Sequence, residues 1–357
     1  MIWDRVRGHQ VQVEMFRQSI RTGRFSQAYL LLGPEGIGKR LFVCTLAQCL
    51  FCEEVPDEEL AACGRCSSCR QMLAGSHPDF LNVGCPEGKN IFPIELIAGT
   101  KERRGREGLC YDITLRPMAA KRRIALIDDA HLMNAESANA LLKTLEEPPS
   151  YATLFLLAPQ AEALLPTIRS RCQAVRFSPL SDETAADLLL EQNLIASRDE
   201  AQAVAALCEG SLTLARQLLD PQIRGLREAL FNGLASSRYN PLELSKAMLD
   251  GLDELGGDTH QKRRNAGWLI RFAMEFFRRS LRQLAEPGGR SPIPQVMKFA
   301  ERFDPNACED LECVMACLDL CVKAEGQTAR NAPANMVFEC LFDDIGRTLR
   351  SLAPARR

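Results

Sequence analysis

The period of the apolar positions changes near residue 177. Before it, three compact apolar runs stand out: residues 27–32 (QAYLLL), 123–127 (RIALI) and 153–158 (TLFLLA), each bounded by glycine, acid or proline. Unbroken runs of this length suit strands buried on both faces of a parallel sheet, although a short buried helix gives the same run. Between the second and third, Ala135, Ala138, Leu141, Leu142 and Leu145 recur at helical spacing until Pro148 and Pro149 end the pattern. The arrangement predicts an α/β fold, with helices covering a parallel sheet. Beyond residue 177 the strand-like runs disappear. Residues 181–220 are helical in period with a break at Gly210. From Pro221 onward the chain reads as all-helical, interrupted at Gly256-Gly257 and by a proline- and glycine-rich loop at 286–294.

A chain of 357 residues exceeds what one hydrophobic core usually supports, so two or three domains are expected. With 46% apolar and 25% charged residues it is a folded protein, not a disordered one. No apolar run approaches the ~18 residues of a membrane span. The first residues, Met1 to Arg7, are charged where a signal peptide needs its apolar stretch, so a cytoplasmic location without membrane attachment is expected. The 15 cysteines are then thiols that pack, bind metal or react, rather than disulfides. A net charge of −2 argues against a chain that coats nucleic acid by itself. The basic runs at 101–106, 121–123 and 262–264 read first as solvated faces.

The first apolar run leads directly into Gly33, Pro34, Glu35, Gly36, Ile37, Gly38, Lys39 and Arg40, followed by a helical stretch. A strand, a glycine-rich loop and a helix in succession direct backbone N–H groups and the positive helix end at a phosphate, and Lys39 stands where it reaches the β- and γ-phosphates. The next position normally holds Ser or Thr, whose hydroxyl ligates Mg²⁺. Here it is Arg40, which cannot ligate a cation. After the second run come Asp128 and Asp129. Asp128 suits the metal-side carboxylate of a Walker B strand, and Asp129 stands one methylene short of a glutamate base. Two acids capping the following helix are the plainer reading of this pair. Together these features predict a site able to hold ATP or ADP, with Mg²⁺ left open, that hydrolyses poorly.

Cys52, Cys63, Cys66 and Cys69 form C-x10-C-x2-C-x2-C. Four closely spaced thiolates can surround Zn²⁺ tetrahedrally and fill every position, which makes a structural site. A redox C-x-x-C is the rival, and His77 and Cys85 are nearby substitutes in the ligand set. The remaining cysteines, Cys313, Cys317 and Cys321 at helical spacing and isolated ones such as Cys308 and Cys340, read as small core hydrophobes. Arg171, within the Ser170-Arg171-Cys172 triplet after the third run, is by itself most simply a surface salt-bridge residue.

The order of GPEGIGKR, the four-cysteine insertion, His77-Pro78-Asp79, LIDDAH, NALLKTLEEPP and Ser170-Arg171-Cys172 resembles the AAA+ subunits of the bacterial DNA polymerase III clamp loader, over about residues 1–220. The delta-prime branch is more similar than the ATPase gamma/tau branch. Where the ATPases carry a loop Thr, an Asp-Glu pair, a sensor Thr and a sensor Arg, this chain has Arg40, Asp128-Asp129, Ala158 and Thr213. The resemblance implies an AAA+ P-loop domain at 1–178 with a zinc module at about 52–69, a helical lid at 179–220 and an all-helical collar at 221–357. It also implies residues 6–9 near an adenine pocket, and Arg171 as an arginine finger given in trans to a neighbour's ATP site. The implied role is that of a stator without its own ATPase activity in the polymerase III holoenzyme. Its partners would be gamma/tau-like and delta-like subunits in a hetero-pentamer, acting on the sliding clamp and primer–template DNA. An active gamma/tau-like ATPase, a P-loop small-molecule kinase and a zinc-dependent nucleic-acid-binding module are the competing readings.

Overall fold

The computed structural model describes residues 2–86, 89, 91–256, 259–286, 291, 293–330 and 332–351. The chain divides into two compact units, Met1–Arg216 and Gln217–Arg357. Gly257 and much of the 286–294 loop singled out above lie outside the described residues.

In the first unit, five strands form one parallel sheet: β1 (Ala28–Leu32), β2 (Phe80–Val83), β3 (Arg123–Ile127), β4 (Ala152–Ala158) and β5 (Gln173–Arg176), in the order β2-β3-β4-β1-β5. The three apolar runs became the three central strands. Their uninterrupted character follows from burial on both faces: Tyr29, Leu31, Ile124, Leu126, Phe155 and Leu157 enter one core, while Leu30, Leu32, Ala125, Ile127, Leu154 and Leu156 enter the other. The edge strands β2 and β5 carry no such run. Of the four residues in β5 only Val175 is buried, and β2 has no fully buried residue.

Helices α1 (Gln10–Arg21) and α2 (Lys39–Leu50) contribute Phe16, Phe42, Val43 and Leu46 to the first core. After α2 come the cysteine module with α3 (Ser67–Leu73), then β2, then α4 (Ile94–Ala98) and α5 (Leu109–Asp112). Helix α6 (Ala135–Glu146) is capped by the Asn134 side chain, which accepts the Ser137 N–H, and buries Ala138, Leu141 and Leu145 in the second core. A short α7 (Pro166–Arg169) precedes β5, and α8 (Asp182–Glu191), α9 (Arg198–Ala205) and α10 (Leu212–Leu219) follow it.

The second unit is helical: α11 (Pro221–Leu234), α12 (Pro241–Glu254), α13 (Thr259–Ala285), α14 (Pro294–Ala300), α15 (Cys308–Ala329) and α16 (Ala334–Ser351). Proline occupies the first turn of α11, α12 and α14, where a missing N–H is harmless, and Asp220 and Asn240 cap the first two. Phe276, Phe277 and Phe299 pack edge-on in its core, with Phe231 tilted against Phe276. Cys313, Cys317 and Cys321 are buried on one stripe of α15. Cys308 and Cys340 correct the packing expected of the isolated cysteines, because both are exposed. Cys308 begins α15, and Cys340 lies on the solvent side of α16 while its neighbours Phe338, Leu341 and Phe342 fill the core. Among the described residues no helix is long and apolar enough to cross a membrane.

Candidate functional site

The loop from Gly33 to Gly38 leaves the carboxyl end of β1 and enters α2, and Asp128 and Asp129 leave the carboxyl end of β3. In open α/β sheets this edge is where ligands bind. Gly36 (φ +76°) and Gly38 (φ +102°) hold left-handed conformations that let the loop curl beneath the helix start. The sequence motif and its acidic partner are therefore brought together.

Their donors and acceptors are turned on one another. Lys39 is buried, and its Nζ donates to the carbonyls of Gly33 and Pro34, each at 2.6 Å. Burial is the main influence lowering its pKa, against the carboxylates of Asp128, Glu35 and Asp129. The Arg40 guanidinium lies 3.1 Å from Asp128 Oδ2. A fixed cation thus meets the carboxylate that, in a metal-dependent phosphate loop, belongs to Mg²⁺. Asp129 has φ +52°, and its pKa is pushed up to about 6, first by burial and then by repulsion from Asp128 and Glu35.

Two further loop carbonyls are taken by more distant residues. The Ile37 carbonyl accepts from His9 Nε2 at 2.7 Å, and burial lowers the pKa of this ring. The Phe177 ring packs edge-on against it, and His9 Nδ1 has no hydrogen-bond partner among the described residues. The Gly36 carbonyl accepts the N–H of Leu212 at the start of α10 (3.0 Å). A Cβ on Gly36 would stand 2.6 Å from both Ser211 Oγ and Thr213 Oγ1, so the loop and the first turn of α10 touch backbone to backbone. Thr213 is the residue aligned above with a sensor arginine. Ala158, at the other sensor position, is buried at the end of β4, where its carbonyl accepts the Gly33 N–H.

The cysteine module lies between α2 and β2. One sulfur from each of Cys52, Cys63, Cys66 and Cys69 comes within 4.8 Å of the other three. A tetrahedron of ~2.3 Å zinc–sulfur bonds needs sulfurs about 3.8 Å apart, so a small contraction suffices. Backbone amides already point at sulfur: Cys63 N–H to Cys52, Cys66 N–H to Cys63 and Cys69 N–H to Cys66, at 3.3–3.4 Å. Amides of Arg65 and Cys66 lead the influences that lower the Cys63 thiol to about 7, which favours the thiolate a metal needs. The donor set is consistent with structural zinc. Neither substitute joins that cluster. His77 stacks on Phe51 (4.3 Å, 8°) and accepts the Asp79 N–H at Nδ1, while Cys85 Sγ donates to the Lys89 carbonyl.

Asp79, noted in the sequence only as part of a triplet, anchors the approach to β3. Its buried carboxylate accepts the N–H groups of Met118, Ala119 and Ala120 at 2.7–2.8 Å and that of Arg123 Nε at 3.3 Å. Burial opposes its ionisation, yet these donors hold its pKa below the usual value.

Arg171 follows α7 and is exposed. It donates to the Thr167 carbonyl (2.9 Å), to Ser170 Oγ (3.3 Å) and to Glu146 at the end of α6 (2.5 Å). Cys172 beside it is half-buried, and burial raises its thiol to about 12.

Residues 8–181 match the model of a family described as "DNA polymerase III, delta subunit". The chain is 32% identical to the DNA polymerase III subunit delta' of Escherichia coli over 61% of its own length and 62% of the relative's. It is 34% identical to the Bacillus subtilis delta' over 51% of each. The E. coli subunit tau is 33% identical over 56% of this chain and 30% of its own. The chain thus spans about half to three-fifths of these delta' relatives. Identity alone does not separate delta' from tau, but the match covers 62% of the E. coli delta' against 30% of the E. coli tau, and the family match runs from the helix before the phosphate loop past the last strand of the sheet. Through that part, the chain belongs to the DNA polymerase III delta-prime subunit family.

Proposed function

We propose that the chain is a delta-prime-like subunit of the DNA polymerase III clamp loader, a stator that lacks its own ATP turnover and serves a neighbour's ATP site. The observation that carries this reading is the Arg40–Asp128 pair. Hydrolysis in such loops depends on Mg²⁺ held by a hydroxyl and a carboxylate. Here the hydroxyl is absent and a guanidinium engages the carboxylate. Lys39 is likewise committed to its own loop carbonyls.

In this reading Gly33–Arg40, Asp128 and Asp129 are the remains of a nucleotide site. ATP or ADP, if bound, must draw Lys39 away from the loop carbonyls. Residues 1–178 form the nucleotide-binding-like domain, 179–220 its lid and 221–357 the collar that assembles with gamma/tau-like and delta-like subunits. The assembled complex would act on the sliding clamp and primed DNA, in the cytoplasm. Arg171 is the trans arginine finger. A permanently charged planar fork suits a transferring phosphate, and release from Glu146, an exposed ion pair of small worth, frees it.

The test compares ATP turnover by the pure chain with turnover by the chain mixed with tau-like motor subunits, clamp and primed DNA. The expected result is none from the pure chain, stimulation in the mixture, and a loss of roughly 10³-fold at the served site for Arg171→Ala. Turnover by the pure chain would favour an active gamma/tau-like ATPase instead. Stimulated turnover unchanged by Arg171→Ala would remove the finger role.

A further inference from the structure

Outside both sites, the segment joining α4 to α5 concentrates positive charge on a constructed loop. Lys101, Arg103, Arg104 and Arg106 stand against Glu102 and Glu107, and residues 101–106 are all exposed. Its neck is closed by backbone. Gly99 (φ +83°) and Gly108 (φ +88°) approach so closely that a Cβ on Gly108 would lie 2.5 Å from the Gly99 nitrogen. Glu107 accepts both the N–H and the hydroxyl of Thr100, at 2.8 and 2.5 Å. The Gly105 N–H donates to the Ala98 carbonyl, and the Arg103 N–H to that of Thr100.

The neck thus uses Glu107, one of the two acids. At the tip, Arg103 stays 3.8 Å from Glu107 and Arg104 reaches Glu136 at 3.5 Å, long contacts of exposed side chains. Lys101 and Arg106 make no ion pair among the described residues. Pairs this exposed are worth little and exchange readily for another anion. Glu136 lies in the first turn of α6, just beyond Asp128 and Asp129, so the loop stands at the same sheet edge as the phosphate loop.

We propose that the 101–106 loop contacts the phosphodiester backbone of duplex DNA. The choice of DNA rests on the clamp-loader reading above; the choice of a phosphodiester chain rests on the loop. Its four cations fall within six consecutive exposed residues and make only long contacts with acids, which suits a row of phosphates on an open surface better than one small anion. Arginine predominates, as fits phosphate recognition, and no base-specific element accompanies it.

Binding of the full chain to a fluorescein-labelled primed duplex, followed by anisotropy across a salt series, tests this. Wild type should bind with a salt-dependent affinity. Arg103→Gln/Arg106→Gln should weaken binding roughly 5- to 30-fold at low salt and reduce the log–log salt slope by about 1–2. Arg103→Lys/Arg106→Lys should keep the slope. Arg103 gives up only a long, exposed contact with Glu107, so thermal unfolding should barely move. No binding by wild type, or wild-type affinity and slope in the Gln variant, overturns the proposal. So does a Gln variant that binds DNA normally but no longer co-elutes with tau-like subunits, which would make the loop a contact for acidic protein. If wild type fails to co-elute with such subunits yet the Gln variant loses DNA binding, the clamp-loader reading falls and the loop assignment stands.

Discussion

The cysteine module and the phosphate loop are two ligand motifs in one unit, and the fold treats them in opposite ways. In the module four sulfurs converge, backbone amides point at them, and His77 and Cys85 stay outside the cluster. The sulfurs face one another and the amides of their own module. In the phosphate loop, Lys39 satisfies two carbonyls, His9 and Leu212 satisfy two more, and Arg40 engages Asp128. A motif names a set of groups; whether they await a ligand depends on which other residues the fold brings to them. A cation built into the chain removes the need for a bound one.

Zinc loss is the largest effect expected on the first side of that comparison. A structural Zn²⁺ contributes folding free energy directly, so Cys66→Ser should lose the metal and destabilise the first unit by several kcal/mol, about 10 °C or more in melting temperature. Elemental analysis alongside calorimetry checks both. Retained zinc with an unchanged melt would reduce the four cysteines to packing and end the contrast.

On the other side, Gly36→Ala probes the contact between the loop and α10. The new Cβ would stand 2.6 Å from Ser211 Oγ and Thr213 Oγ1 and 2.7 Å from the Thr213 nitrogen, at φ +76°. Left-handed strain of ~1–2 kcal/mol adds to displacement of α10, for a loss of about 2–4 kcal/mol. The Leu212 amide should exchange its hydrogen much faster. Unaltered protection at Leu212 would mean that α10 does not depend on this close approach.

Much of this was legible in the sequence, and the gaps have physical causes. The central strands announced themselves because both faces of Leu30–Leu32, Ile124–Ile127 and Leu154–Leu157 are buried, which forces continuous apolar runs. The edge strands escaped because a half-solvated Gln173–Arg176 has no such constraint. Local spacing revealed the four cysteines, since Cys63, Cys66 and Cys69 lie on one turn and its helix. It also marked Arg40 and Asp128 as departures worth noting, but not as partners: they are 88 residues apart and meet only through the β1-β4-β3 pairing. The same applies to Leu212 on Gly36, and to Asp79 holding Met118–Ala120. Such contacts depend on topology, which no local pattern encodes.

Asp129→Asn should move stability the other way by a smaller amount. Its folded-state pKa, about 6, lies above the 3.8 of an unperturbed aspartate. For a raised pKa the stabilising contribution is complete below the unfolded value and is lost as pH rises through the folded one. Wild type should therefore lose stability between about pH 4 and 6 relative to the Asn variant, with a difference of roughly 1 kcal/mol at pH 7 after discounting for partial exposure. Asn also tolerates the left-handed backbone there. Parallel melts from pH 4 to 8 that never diverge would show that the carboxylate is well solvated.

Arg40→Thr has the smallest effect on stability and bears most directly on the comparison. The Arg40 side chain is 54% exposed and that of Asp128 23%, so their pair contributes at most ~1 kcal/mol and the melt should fall by only a few degrees. What changes is the balance of charge. Removing the guanidinium leaves Asp128, Asp129 and Glu35 facing only Lys39, and supplies a hydroxyl of the type that ligates Mg²⁺. The variant should therefore recover its lost stability in millimolar MgCl₂ but not in NaCl of equal ionic strength, while wild type responds to neither. If wild type is stabilised by Mg²⁺ as well, Arg40 does not take the cation's place, and the loop belongs with the cysteine module as a site that still awaits its metal.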